Sequence, residues 1–153
     1  LGVEQDYLKA AEYYEKADKL GNTYAPNNLG NLYKDGLGVK QDYTKAIHYI
    51  EKSAGLGNVY ALESLGYIYQ TGEIVTKNCL KAKEYYEKAV ILGYKKVFYN
   101  LGTLYENGDG IEQDIQKAIE YYEKAAENGD VNAKERCDKL KEKQKKKKFF
   151  GLF

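Results

Sequence analysis

Apolar side chains fall along this chain at helical spacing, and the whole pattern returns every 36 residues. Across residues 25–56, Ala25, Leu29, Leu32 and Tyr33 recur at intervals that build one face of a helix. Gly36, Leu37 and Gly38 break that face. Tyr43, Ala46, Ile47, Tyr49, Ile50 and Ser53 then mark a second amphipathic helix, closed near Gly57. The block predicts an antiparallel helix pair, 25–36 with 42–56. The same register predicts pairs 60–72 with 78–92 and 96–108 with 114–128. A single helix, 6–20, precedes them and a last one, 131–144, follows, leaving residues 145–153 as a separate tail.

The register is visible in its columns. Ala10, Ala46, Ala82 and Ala118 form one, Tyr13, Tyr49, Tyr85 and Tyr121 another, and Gly21, Gly57, Gly93 and Gly129 close each block. Leu29, Leu65 and Leu101, Gly30, Gly66 and Gly102, and Tyr33, Tyr69 and Tyr105 interleave with them. A fixed period of this length marks stacked supersecondary units, so any residue must be judged against its column.

Polar positions refine the helices. Asp6, Asp42, Asn78 and Asp114 share a column ahead of each second helix, where a side-chain oxygen can accept the free first-turn N–H groups. The Gly57 column suits a left-handed cap after each second helix. Glu12 with Lys16, Glu84 with Lys88 and Glu120 with Lys124 are expected as solvent-facing i,i+4 pairs. The alanine and Gly30 columns are expected where helices approach closely, since glycine inside a helix costs about 1 kcal/mol relative to alanine and needs a packing reason. Tyr33, Tyr69 and Tyr105 are expected to pack across that contact.

Composition removes several function classes. The net charge of +1 conceals a split: residues 1–138 hold 17 basic and 22 acidic side chains, whereas the last fifteen hold seven lysines and one acid, Glu142. An acidic body argues against nucleic-acid binding. The 17 tyrosines are mostly architecture and not a stacking platform for bases. No apolar run approaches the roughly 18–20 residues needed to cross a bilayer, and no signal peptide is evident. Cys79 and Cys137 sit in different columns with no disulfide spacing, which favours a reducing, cytoplasmic setting. Cys137 replaces the leucine of its column and reads as a small buried hydrophobe. His48 replaces glutamates Glu12, Glu84 and Glu120 and reads as a surface substitution. Leu1-Gly2-Val3 matches Leu37-Gly38-Val39, so the chain is expected to start inside a repeat, with further repeats upstream.

The run Leu29-Gly30-Asn31-Leu32-Tyr33-Lys34-Asp35-Gly36-Leu37-Gly38-Val39, followed by Asp42-Tyr43-Thr44-Lys45-Ala46, resembles the Sel-one-like repeat (SLR), a relative of the tetratricopeptide repeat. The resemblance covers about 140 residues, a span set by the repeat columns. It implies an all-α, right-handed α-solenoid of antiparallel helix pairs, in which the first helix of each pair lines a concave side. In the last helix Asp138 stands where glycine is expected and Lys141 where tyrosine is expected, as in a terminal capping helix.

On that implied concave side the candidate partner-binding residues are Asn27, Asn31 and Lys34, with Tyr24; Tyr60, Glu63, Tyr67 and Gln70; and Tyr99, Thr103 and Glu106, with Lys96. Tyr67 and Tyr99 are the expected anchors, because other repeats carry no aromatic residue in those columns. The function this implies is a non-catalytic scaffold or adaptor for a peptide or protein segment. Asn31 matches one place in the carboxylate-gripping set of a related tetratricopeptide subclass, but the rest of that set is missing.

The tail, Lys145, Lys146, Lys147, Lys148, Phe149, Phe150 and then Phe153, supports an alternative. Its simplest reading is a solvated helix end; a cationic run before aromatic residues also suits an anionic membrane surface. A third reading, a penicillin-binding or β-lactamase-like enzyme, is disfavoured. Ser53 and Ser64 have no neighbouring histidine in register, and no Ser-x-x-Lys motif occurs. Gly36-x-Gly38 lacks the lysine of a phosphate loop, and neither a metal site nor a cofactor is expected.

Overall fold

The structure, a computed structural model, describes residues 2–149 and 151. Among these the regular structure is helical: α1 (Gly2–Lys19), α2 (Ala25–Asp35), α3 (Tyr43–Gly55), α4 (Val59–Thr71), α5 (Cys79–Ile91), α6 (Phe98–Asn107), α7 (Ile115–Glu127) and α8 (Val131–Phe149), with a 3₁₀ turn at Lys95–Val97. The chain divides into two compact units, residues 1–76 and 77–153. The all-α helix-pair class expected from the period is the one observed.

Capping chemistry sets the helix starts. Asp42, Asn78 and Asp114 each accept a first-turn N–H, from Lys45, Lys81 and Lys117 at 2.9, 3.0 and 2.9 Å. Asp6 does not cap: α1 begins upstream of it, so the N–H groups it was expected to accept are already bonded within the helix. A second capping column was not anticipated. Asn22 Oδ1 accepts the N–H groups of Tyr24 and Ala25, Asn58 Oδ1 those of Tyr60 and Ala61, and Asp130 Oδ1 that of Ala133. In the remaining repeat the column holds Tyr94, which cannot cap, and the chain enters α6 through the 3₁₀ turn.

Glycine sets the helix ends. Gly36, Gly72 and Gly108 take left-handed φ of 69, 73 and 67° and stop α2, α4 and α6. In α8 the same column holds Gln144, a good helix former. Helix α8 therefore runs past the expected end at residue 144 to Phe149, carrying Lys145–Lys148 with it.

In the first unit Ala11, Leu29 and Leu32 form a buried cluster, flanked by Tyr7, Tyr14, Tyr33 and Tyr49. A Cβ added at Gly30 would stand 2.6 Å from Ile50 Cγ1 and 2.9 Å from the carbonyl oxygen of Ala46, so glycine here permits the approach of α2 to α3. Tyr33 lies flat on Tyr49, centroids 5.7 Å apart, and Lys45 Nζ sits 5.0 Å from the Tyr33 ring centre. In the second unit Ala118, Ile119, Tyr122, Ala133, Cys137 and Leu140 build the core. Tyr105 stacks on Tyr121 at 5.7 Å and Lys117 lies 5.2 Å from the Tyr105 ring centre, repeating the arrangement of the first unit.

The expected Glu–Lys pairs are replaced by another contact. Lys16, Lys88 and Lys124 lie 5.8, 5.5 and 5.2 Å from the ring centres of Tyr13, Tyr85 and Tyr121, three residues earlier on the same helix. A tyrosine at i−3 offers both an apolar surface for the lysine stem and a negative ring face for the ammonium.

Candidate functional site

In the first unit the exposed face of α4 carries a stripe at helical spacing: Tyr60, Glu63, Tyr67 and Gln70. Tyr60 and Tyr67 are 48 and 53% exposed, whereas Glu63 and Gln70 are half-buried. Tyr24, just ahead of α2, is 56% exposed and its ring lies 6.3 Å from that of Tyr60, tilted by 48°. The structure thus brings Tyr24 and Tyr60 together, with Tyr67 two turns further along α4. Such rings are large, stiff and amphipathic, the properties that recur at interaction surfaces.

On α2, Asn31 and Lys34 are half-buried and Lys34 faces Asp35 at 3.6 Å. Asn27 departs from expectation. It is buried, only 7% exposed, and its Oδ1 has no hydrogen-bond partner, whereas Glu63 in the same column of the next repeat is half-buried.

The candidates of the second unit are tied into the fold. Tyr99, expected as an anchor, is half-buried against Tyr122, ring centres 5.3 Å apart, and packs on the core of this unit. Thr103 Oγ1 donates to the Tyr99 carbonyl at 3.1 Å and lies 3.2 Å from the Tyr122 hydroxyl. Glu106 accepts from the Tyr122 hydroxyl at 2.8 Å and from two Arg136 nitrogens, each at 2.8 Å. Burial would raise the pKa of this carboxyl, but the hydrogen bonds from Arg136 and Tyr122 outweigh it and hold the group below its ordinary value. Burial pushes the Tyr122 phenol upward. Lys96 is exposed in the 3₁₀ turn. Of the twelve positions named, Tyr24, Tyr60 and Tyr67 of the first unit and Lys96 of the second are exposed, and the three rings are the aromatic ones among them.

Lys145, Lys146, Lys147 and Lys148 are exposed on α8, and Phe149 is 86% exposed at its end. Phe150 and Phe153 lie outside the described residues. Lys141 pairs with Glu123 of α7 at 2.5 Å, in the position where other repeats stack tyrosine. Cys79 and Cys137 are buried and free, and His48 is exposed, edge-on to Tyr49 at 5.5 Å. Among the described residues no group of three or more His, Cys, Asp and Glu side chains is placed to hold a metal ion.

A groove that sequence reasoning missed lies in the second unit, about 610 Å³ in volume, between the start of α7 and the outer half of α8. Its walls are Gln113, Ile115 and Gln116 on one side and Leu140, Lys143, Gln144 and Lys147 on the other. The signal that announces it is Gln144 in a glycine column, since a helix stopped there would leave the groove without its outer wall.

Comparisons with known proteins match this architecture. The Sel1 repeat family model fits residues 1–22, 23–58, 59–94 and 99–130. The chain belongs to the Sel1 repeat family. Among solved structures it is similar to a Sel1 repeat protein from Oxalobacter formigenes, at 30% identity and a TM-score of 0.80, covering 86% of this chain and 54% of that one. It is also similar to c5321, a protective antigen of uropathogenic Escherichia coli with an SLR fold, at 36% identity and a TM-score of 0.77, over 90% of this chain and 30% of that one. Helicobacter pylori cysteine-rich protein B is 28% identical with a TM-score of 0.62, over 86% of this chain and 94% of that one. The chain therefore spans about half of the first relative and under a third of the second. A sequence comparison with curated proteins finds no match.

Proposed function

We propose that this chain is a non-catalytic interaction module that takes a peptide or partner segment across the exposed faces of its first helices. Sel1 repeat proteins generally serve as protein-interaction scaffolds. The observation that carries the finer reading is the outward aromatic set Tyr24, Tyr60 and Tyr67, which no capping or stacking column of the repeat requires. A partner segment with apolar side chains would bury these rings while Glu63, Gln70 and Asn31 orient its polar groups.

The test is a peptide-display selection on the wild-type chain, followed by titration of the selected peptide against a Tyr60→Ala/Tyr67→Ala variant. Loss of about tenfold or more in affinity, roughly 1.4 kcal/mol, supports the reading. Unchanged affinity in a variant with the wild-type melting curve removes these anchors.

A second reading is favoured by Phe149, which stands exposed directly after four lysines on α8. On an anionic bilayer that end would act as a peripheral contact, because no helix among the described residues is long and apolar enough to cross a membrane. Flotation with phosphatidylserine vesicles tests it, and a Phe149→Ser variant that floats as well as wild type rejects it.

A further inference from the structure

The lysine-rich end of α8 is divided by helical phase. Leu140, Lys143, Gln144, Lys147 and Lys148 follow the i, i+3, i+4, i+7, i+8 spacing and face one groove. Lys139 and Lys146 point elsewhere and are neutralised within the helix, by Glu135 at 2.5 Å and Glu142 at 2.8 Å. The groove-facing lysines have no such partner among the described residues. Glu106, the one acid lining the groove, is committed to Arg136 and Tyr122. Three ammonium groups thus crowd one face of a helix with no ion pair among the described residues. The charge of Glu106 acts on Lys143 only at longer range, and the like-charge arrangement costs helix stability unless a further anion sits there.

We propose that this groove is a docking site for an acidic peptide segment carrying an aliphatic side chain. Leu140 and Ile115 supply apolar surface for that side chain, and the lysines supply the charge complement for flanking carboxylates. Gln116 and Gln144 place amides where a peptide backbone can pair with them. The volume, about 610 Å³, is that of a site for a few residues. Two features favour a peptide over a lipid surface. The cationic stripe faces a concave wall, which a flat bilayer does not fill, and the groove combines amide groups with an apolar floor. The site differs from the α4 aromatic stripe in position and in ligand chemistry.

The experiment is fluorescence polarisation with a short fluorescein-labelled Glu/Leu peptide, with a Gln/Leu peptide as neutral control. Wild type is expected to bind the acidic probe, more weakly as salt is raised, and to leave the neutral one free. Lys143→Gln/Lys147→Gln is expected to weaken binding at least about tenfold, whereas Lys139→Gln/Lys146→Gln, with the same change in net charge, stays within about twofold. Glutamine and lysine have similar helix propensity, so both variants keep α8. The Tyr60→Ala/Tyr67→Ala variant retains binding, which separates this site from the α4 face. Equal loss in the two lysine pairs, equal binding of the neutral peptide, or no binding of the acidic peptide overturns the proposal. Phosphatidylserine vesicles that bind the chain through Lys143 and Lys147 while the acidic peptide does not compete also overturn it, in favour of a lipid surface.

Discussion

Arg136 of α8 grips Glu106 of α6 through both carboxylate oxygens, at 2.8 Å each, while the Tyr122 hydroxyl of α7 donates to the same group. Three helices of the second unit are thereby joined at one acid, whose side chain is only 13% exposed. The planar guanidinium matches the carboxylate fork, which a lysine could not do.

This arrangement predicts a pH dependence. The Glu106 pKa is depressed in the folded chain, so its contribution is complete above the ordinary carboxylate range and is lost as pH falls through the folded value. Glu106→Gln should destabilise the chain by about 1–2 kcal/mol at neutral pH, a figure discounted because Arg136 is half exposed. Urea titrations should show wild type and variant converging on acidification. A gap that persists well below that range would mean that the carboxylate charge is not what matters.

The two loop glycines Gly38 and Gly110 separate backbone strain from lack of space. Their φ angles, 67 and 73°, are nearly equal, so the strain of adding a Cβ is similar at both. At Gly38 that Cβ would fall 2.3 Å from the backbone of Tyr7 and Leu8, whereas at Gly110 the nearest atom is Cys79 Cβ at 3.7 Å. Gly38→Ala should therefore cost more than Gly110→Ala, by about 1–3 kcal/mol. Equal melting temperatures for the two variants would contradict the close approach of this loop to α1.

Much of this was legible in the sequence, because period and capping are local properties. Asp42, Asn78 and Asp114 cap as expected, and Gly57, Gly93 and Gly129 take left-handed φ of 82, 83 and 91°. What escaped depended on which of two neighbours wins. Lys16 has Glu12 and Tyr13 within reach along its helix, and the ring prevails. Tyr99 shares a column with Asn27 and Glu63, yet the neighbouring Tyr122 draws it inward, so column variability was a poor guide to exposure. Tyr94 and Gln144 carried information as departures from a column, at positions the apolar pattern does not weigh.

Thiol chemistry supplies another check. Burial raises the Cys79 pKa, with Lys77 opposing, and both cysteines are buried and free. A thiol held protonated and screened from solvent reacts slowly. Native chain should be labelled by iodoacetamide at neutral pH far more slowly than chain in denaturant, with the two thiols released together as the second unit unfolds. Rapid native labelling of Cys79 would show that the packing around this buried thiol opens readily.

Gln144 controls the reach of α8. Gly36, Gly72 and Gly108 stop their helices with a left-handed residue whose N–H returns to a carbonyl of the last turn, and Gln144 holds the matching position without stopping anything. Gln144→Gly adds about 1 kcal/mol of cost to continuing the helix and offers the left-handed exit used in the other repeats. The core anchors Ala133, Cys137 and Leu140 lie before this point, so global stability should change little. Helical circular dichroism should fall, and the amides of Lys145–Lys148 should lose hydrogen-exchange protection while those around Cys137 keep theirs. Lys147 and Lys148 would then leave the groove, and the acidic probe should bind more weakly even though no charge has been removed. Retained protection across Lys145–Lys148 in this variant would mean that contacts with α7, and not the residue at this column, hold the last turns of α8 in place.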